Sequence, residues 1–207
     1  MAGWQTTRVP LGLGGAFLAG SVPFSNLAAH LVAGVDLRGV ATGTVSGTNL
    51  YRVGGFGPLA VAGALDLAKG ALGPVLVGRD RPLPAALAAG LVVSGHNWSP
   101  WLRGAGGRGI SPATGALLAV AWPGATVLLG GLAVGRLVGC TAPGALAAQL
   151  ALVPVLAVTR GRSGALAGAA VLLPMLAKRL LGNAPRPAGV PRGQVLRARL
   201  LHDREVR

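Results

Sequence analysis

The sequence predicts an all-α protein, a polytopic membrane bundle of about seven transmembrane helices. Three observations predict it. Only 12% of residues are charged, about half the roughly 25% of soluble domains, and 52% are hydrophobic, with a mean hydropathy of +0.60. The chain carries 35 glycines but only 4% aromatic residues, which suits helices whose backbones approach closely in lipid. Its apolar runs are punctuated by Gly, Pro and Arg clusters of the kind that separate helices.

The first span is expected over residues 11–33. One basic residue, Arg8, precedes it and no small-x-small cleavage site comes before Pro23, so it reads as a retained span rather than a removed signal. Within it Asn26 and His30 are placed for interhelical hydrogen bonds. The Gly-Val-Asp-Leu-Arg cut at 34–38 leads to a first polar island, residues 41–52. Residues 55–78 form the second span; Asp66 and Lys69, on one face of it, can neutralise each other. Ionisable groups at membrane depth are costly and are functional candidates or structural pairs.

The Gly-Arg-Asp-Arg-Pro break at 78–82 precedes a third span, 83–95, which runs into a second polar island, residues 94–109. Shorter spans are expected at 113–121 and 125–138, parted by Trp-Pro-Gly, then at 145–159 and 163–181, parted by Arg-Gly-Arg. Residues 1–184 therefore read as one integral-membrane domain and 185–207 as a basic cytoplasmic tail of helix and coil on the surface. No fixed-period repeat supports a solenoid.

The net charge of +14 raises nucleic acid as a partner, but the densest basic stretch, Lys178 to Arg207, directly follows an apolar segment and has no aromatic interleaving. It reads as a flank beside anionic membrane lipid. With the N-terminus outside, Arg38, Arg52, Arg103, Arg108, Arg136 and the tail fall on the cytoplasmic side, leaving Arg8, Arg79, Arg81, Arg160 and Arg162 outside. This bias places both polar islands on one cytoplasmic face of the membrane. Cys140, the single cysteine, excludes an internal disulfide and reads as filler among apolar neighbours.

The islands carry the chemistry. In the first, Thr42, Gly43, Thr44, Ser46, Gly47, Thr48 and Asn49 offer hydroxyls, an amide and backbone donors, with Arg52 at helical spacing from Asn49. A dianionic phosphate needs such groups; an ordinary polar loop with a helix cap at Thr48 or Asn49 is the plain alternative. In the second, His96 and Asn97 precede Gly104, Gly106, Gly107, Arg108 and Gly109. Glycines around a guanidinium can wrap a phosphate, and His96 is either a structural hydrogen-bonder or a proton-exchanging group. Trp98 and Trp101 read as interfacial anchors. No Ser-His-Asp set, HExxH, CxxC, GxxxxGKS or His-x4-Asp motif is present, so a charge-relay acyltransferase is disfavoured and no metal or cofactor is expected.

These pieces, in order, resemble the bacterial membrane family of acyl-phosphate:glycerol-3-phosphate acyltransferases. Gly20-Ser21-Val22-Pro23-Phe24 is similar to the family's GSxPF opening and Asp36-Leu37-Arg38 to its DxR turn. Residues 41–55 are similar to GSGNxGATNxxRxxG, Asp66 to Gly70 to DxxKG, Gly95-His96 to the next motif, and Gly106-Gly107-Arg108-Gly109 to GGKG. The resemblance implies seven transmembrane helices and attack of the sn-1 hydroxyl of glycerol 3-phosphate on an acyl-phosphate, with neither metal nor covalent intermediate. It implies catalytic roles for His96, Arg108 and Thr42, the last standing at a loop serine. Gly43, Ser46, Gly47, Thr48, Asn49, Arg52, Gly106, Gly107 and Gly109 would bind substrate, while Asp66 and Lys69 are structural or uncertain.

The chain departs from the pattern, first at Arg108, which replaces the second lysine of KGGKG and trades a point charge for a planar fork. Ala105 stands at the first lysine of KGGKG, Thr44 at the asparagine of GSGN, and Leu173 and Leu176 at the histidine and asparagine of a closing HxxNIxRLL. The alternatives are therefore a catalytically silent homologue that binds phospholipid precursors or membrane partners, and a small transporter built on Asp66 and Lys69.

Overall fold

A computed structural model describes residues 3–206, with side chains from Val9 onward; the side chain of Arg8 and all of Arg207 lie outside the described residues. The regular elements of the described chain are all helices: α1 (Gly3–Ser21), α2 (Phe24–Ala33), α3 (Gly47–Gly54), α4 (Phe56–Val77), α5 (Pro82–Asn97), α6 (Ile110–Val120), α7 (Trp122–Leu137), α8 (Thr141–Leu181) and α9 (Arg192–Leu201). Two short 3-10 turns, Leu37–Gly39 and Pro100–Leu102, lie in the loops. Three runs are long and apolar enough to cross a membrane by themselves: Val9–Ala33, Phe56–Val77 and Thr141–Leu181. Leu31 (87% exposed), Leu137 (85%) and Val158 (88%) point away from the protein, as lipid-facing side chains do.

The expected segments correspond to helices, with one adjustment in the first span. The first span is broken at residues 22–23, because Pro23 lacks an N–H to continue α1 and caps α2 instead. The last two segments are the two halves of α8, parted as expected by a kink at Gly161, whose φ of 63° and ψ of −150° are open to glycine but strained for other residues. The short segments after residue 110 are separate helices, parted where Ala121 extends ahead of the Trp-Pro start of α7.

The principal core is small and aliphatic: Val92 and Val93 of α5, Leu117 of α6, Leu128 of α7, and Leu152, Leu156, Val171 and Met175 of α8. Glycines set how closely the helices meet. Gly20 of α1 and Gly95 of α5 each lie against the other helix's backbone, at the carbonyls of Val92 and Phe17, and Gly70 of α4 and Gly115 of α6 do the same at those of Pro112 and Leu67. A Cβ at any of the four would collide with backbone, which cannot swing aside.

Close α1–α5 and α4–α6 pairs leave the ends of α5 and α8 beside the starts of α3 and α6. Polar ties hold this end together. Ser99 Oγ donates to the Ser21 carbonyl at 2.6 Å, Trp101 Nε1 to Ser21 Oγ at 2.9 Å, and Asn97 Nδ2 to the Pro174 carbonyl at 2.8 Å. Asn26 does not bond across helices as expected: its Oδ1 accepts the Leu37 N–H at 2.8 Å and pins the loop after α2, where a buried backbone donor needs a partner. His30 lies on an exposed edge, 3.9 Å from Asp36. Cys140, expected among apolar neighbours, is exposed at the start of α8.

Candidate active site

The first island folds around Asn49. Its buried Nδ2 donates to the Val40 carbonyl (3.0 Å), Thr42 Oγ1 (3.0 Å) and the Thr44 carbonyl (2.9 Å), closing the loop onto α3. Thr42, Thr44 and Ser46 form a hydroxyl chain, 2.8 Å and 3.1 Å between successive oxygens. Ser46 caps α3, its Oγ accepting the Asn49 N–H, so the cap falls ahead of the expected Thr48 or Asn49. Thr48 and Arg52 share an exposed face of α3, and Arg52 has no protein partner among the described residues.

The second island is held by its histidine and by α8. His96 Nδ1 lies 3.6 Å from Asp66 Oδ1, and the same oxygen is 2.7 Å from Lys69 Nζ, which donates to the Val22 carbonyl at 2.7 Å and sits over the Phe24 ring. The opposite edge of the imidazole, Nε2, faces Gly107, where a Cβ would meet both that nitrogen and the Val45 carbonyl. The two islands therefore touch at Val45 and Gly107, with His96 between Gly107 and the α4 carboxylate. Asn183, just past α8, clamps the glycine loop: Oδ1 accepts the Gly106 N–H and Nδ2 donates to the Gly106 carbonyl, both at 3.0 Å.

The glycines' role differs from expectation. The Gly43, Gly106 and Gly107 N–H groups bond to Val40, Asn183 and His96 within the protein. What glycine supplies at 106 and 107 is room beneath the end of α5. In the first turn of α3 the N–H groups of Gly47 and Thr48 have no intrahelical acceptor and remain as donors.

Arg108 is buried and paired through each of its three guanidinium nitrogens. Its Nη1 donates to the Lys178 carbonyl at 2.9 Å, its Nε to Asp203 at 2.6 Å, and its Nη2 to Glu205 at 3.3 Å. A cavity of about 280 Å³ lies alongside, lined by Arg38, Gly43, Ala105, Asn183, Ala184 and Glu205. Of the residues selected from sequence, Gly43 lines it directly, Arg108 reaches it through Glu205, and Thr42 borders it through its carbonyl, which accepts the Glu205 N–H. Arg38 chelates Asp36, with Nη2 2.6 Å from Oδ2; that hydrogen bond holds the carboxyl below the ordinary 3.8. Leu173, at the family's histidine position, is 67% exposed.

Asn183, Asp203 and Glu205 were not visible as site residues from sequence. Asn183 follows a helix-ending glycine, and Glu205 is the chain's only glutamate, inside a stretch whose basic character masks it.

Fold and site define a polytopic helical membrane protein in which two glycine-bearing loops gather around a histidine and a buried arginine. Residues 11–186 match the family described as glycerol-3-phosphate acyltransferase, and the chain belongs to that family. It is 34% identical over 168 residues to a glycerol-3-phosphate acyltransferase of Gluconobacter oxydans, covering 78% of this chain and 79% of the relative. With one of Synechococcus sp. it shares 36% over 151 residues, 71% and 74% of the two chains. Among solved structures it is similar to PlsY (YgiH), an integral membrane glycerol 3-phosphate acyltransferase, in its glycerol 3-phosphate form, with a TM-score of 0.74 and 23% identity over 96% of this chain and 94% of that one. The lysophosphatidic acid form of PlsY matches with a TM-score of 0.66 and 22% identity over 86% and 94%.

Proposed function

We propose that this chain transfers an acyl group from an acyl-phosphate to the sn-1 hydroxyl of glycerol 3-phosphate, at the cytoplasmic face of a bacterial plasma membrane. The supporting observation is the meeting of the islands: His96, backed by Asp66, abuts Gly107 and therefore the loop that carries Arg108. The hydroxyl oxygen bonds to the acyl carbon, the bond from that carbon to the phosphate oxygen breaks, and phosphate leaves with the electron pair. The hydroxyl proton passes to the departing phosphate or to His96 Nε2. Arg108 and Arg52 neutralise the phosphates, the Gly47 and Thr48 N–H groups add donors at a helix start, and Thr42 orients the acceptor.

Purified protein given acyl-phosphate and glycerol 3-phosphate should release lysophosphatidate and inorganic phosphate well above an Arg52→Ala control. Absence of product from unaltered protein refutes the reading. A silent, precursor-binding homologue is the second reading; Leu173 and Leu176 favour it, and product formation rejects it. The transporter reading has less support, because Asp66 and Lys69 are bound to each other, to His96 and to Val22.

A further inference from the structure

Four basic side chains are buried where α8 ends: Arg108 and Arg199 (each 5% exposed), Lys178 and Arg179 (each 1%). Two of the chain's five acids come to them from the C-terminal segment. Asp203, with φ of 49°, adopts the left-handed conformation that Asp tolerates, and its carboxylate takes Arg108 Nε. Glu205 then points inward, its side chain 1% exposed: Oε1 accepts from the Asn183 N–H at 2.8 Å and from Arg108 Nη2 at 3.3 Å, while Oε2 lies 3.2 Å from Arg199 Nη2. The backbone pins it there through the Glu205 N–H to the Thr42 carbonyl.

The fit is incomplete. Arg199 Nε and Glu205 Oε2 are both buried without a hydrogen-bond partner, so this planar carboxylate uses only part of what surrounds it. A tetrahedral phosphate presents three terminal oxygens and a charge near −2, the sum of the two carboxylates. Exchanging one for the other would leave the local charge unchanged.

We propose that Arg108, Arg199 and the Asn183 N–H form a receptor for a phosphate group, and that Asp203 and Glu205 occupy it in the resting protein, so that the tail competes with substrate. This rests on the reading of Arg108 as a substrate-binding group. It adds Arg199 and Asn183 to the phosphate contacts and makes the C-terminal segment, beyond the family match that ends at residue 186, the element that sets phosphate affinity.

Calorimetric titration of the purified full chain with inorganic phosphate, and separately with glycerol 3-phosphate, reads the competition without turnover. The double variant D203N/E205Q should bind both about fivefold more tightly, as expected if the tail fills the receptor roughly four-fifths of the time. Saturating phosphate should also speed trypsin cleavage after the exposed Arg204 in the unaltered chain. Equal or weaker binding by a variant with an unchanged unfolding temperature overturns the proposal, as does failure of either protein to bind phosphate. If the variant does not fold, the protease arm decides: cleavage indifferent to phosphate overturns it. Competition in a protein that makes no lysophosphatidate would defeat the reaction and leave the receptor, whereas an active enzyme without competition would do the reverse.

Discussion

The imidazole Nδ1 of His96, at the end of α5, lies 3.6 Å from Oδ1 of Asp66, in the middle of α4, and both side chains are almost wholly buried. A carboxylate behind a histidine fixes which ring edge faces the site, here the edge toward Gly107. Asp66→Asn should lower kcat by about 10²-fold or more, the usual scale for losing a positioned acid-base group, with a smaller change in the KM for glycerol 3-phosphate. Initial-rate kinetics check this; a change confined to KM contradicts the positioning role.

The same carboxylate neutralises Lys69 at membrane depth. Asp66→Leu alone should destabilise the fold by about 3–5 kcal/mol, because an uncompensated ammonium is left buried, while Asp66→Leu with Lys69→Met should recover much of that loss. Thermal unfolding in detergent reads the difference. Equal destabilisation by single and double variants contradicts it.

Glycine substitutions should divide sharply by position. Gly115→Ala places a Cβ against the Leu67 carbonyl and should cost about 1–3 kcal/mol. Gly130→Ala, with nothing within 4 Å, should be neutral or stabilise by about 0.5–1 kcal/mol through helix propensity. Gly107→Ala should abolish activity, since its Cβ would displace His96. Unfolding temperatures and rates of the three variants together test this.

The Asp36–Arg38 chelate gives a pH signature. The Asp36 carboxyl is depressed, first by its hydrogen bond to Arg38, so its stabilisation is fully present above the ordinary carboxylate value of 3.8 and is lost as pH falls through the lower folded value. The unfolding-temperature difference between the unaltered chain and Asp36→Asn should stay flat from about pH 5 to 8 and shrink only below about pH 4. A difference that declines near neutrality contradicts the assignment.

Ala105 lines the cavity where the family pattern has a lysine. Ala105→Lys should lower the KM for glycerol 3-phosphate severalfold at low salt, by adding a phosphate-facing cation whose effect salt screens. Unchanged KM at every ionic strength contradicts a substrate phosphate lying beside Ala105.

Apolar runs and their breakers made the bundle legible, because each break is a local matter of Gly, Pro and charge. The order of motifs likewise pointed to the loops that contain Asn49, His96 and Gly107. Side-chain partners were not legible. Asp66 and His96 are far apart in sequence and meet only because α4 packs on α5, where Gly73 lies against the Ala88 carbonyl and Val92. Asn183 and Glu205 escaped for a different reason: each acts from outside the motifs, and a basic tail read by composition gives no sign that its two acids turn inward.

The loops joined at Val45 and Gly107 must form an acyl-transfer site for any of these roles to hold. The most direct measurement is lysophosphatidate formation from acyl-phosphate and glycerol 3-phosphate by the purified chain, alongside His96→Ala and Arg108→Ala. The unaltered protein should form product, and each folded variant should lose about 10²-fold or more. No product from the unaltered chain, or full activity in both variants, would contradict an acyl-transfer site there.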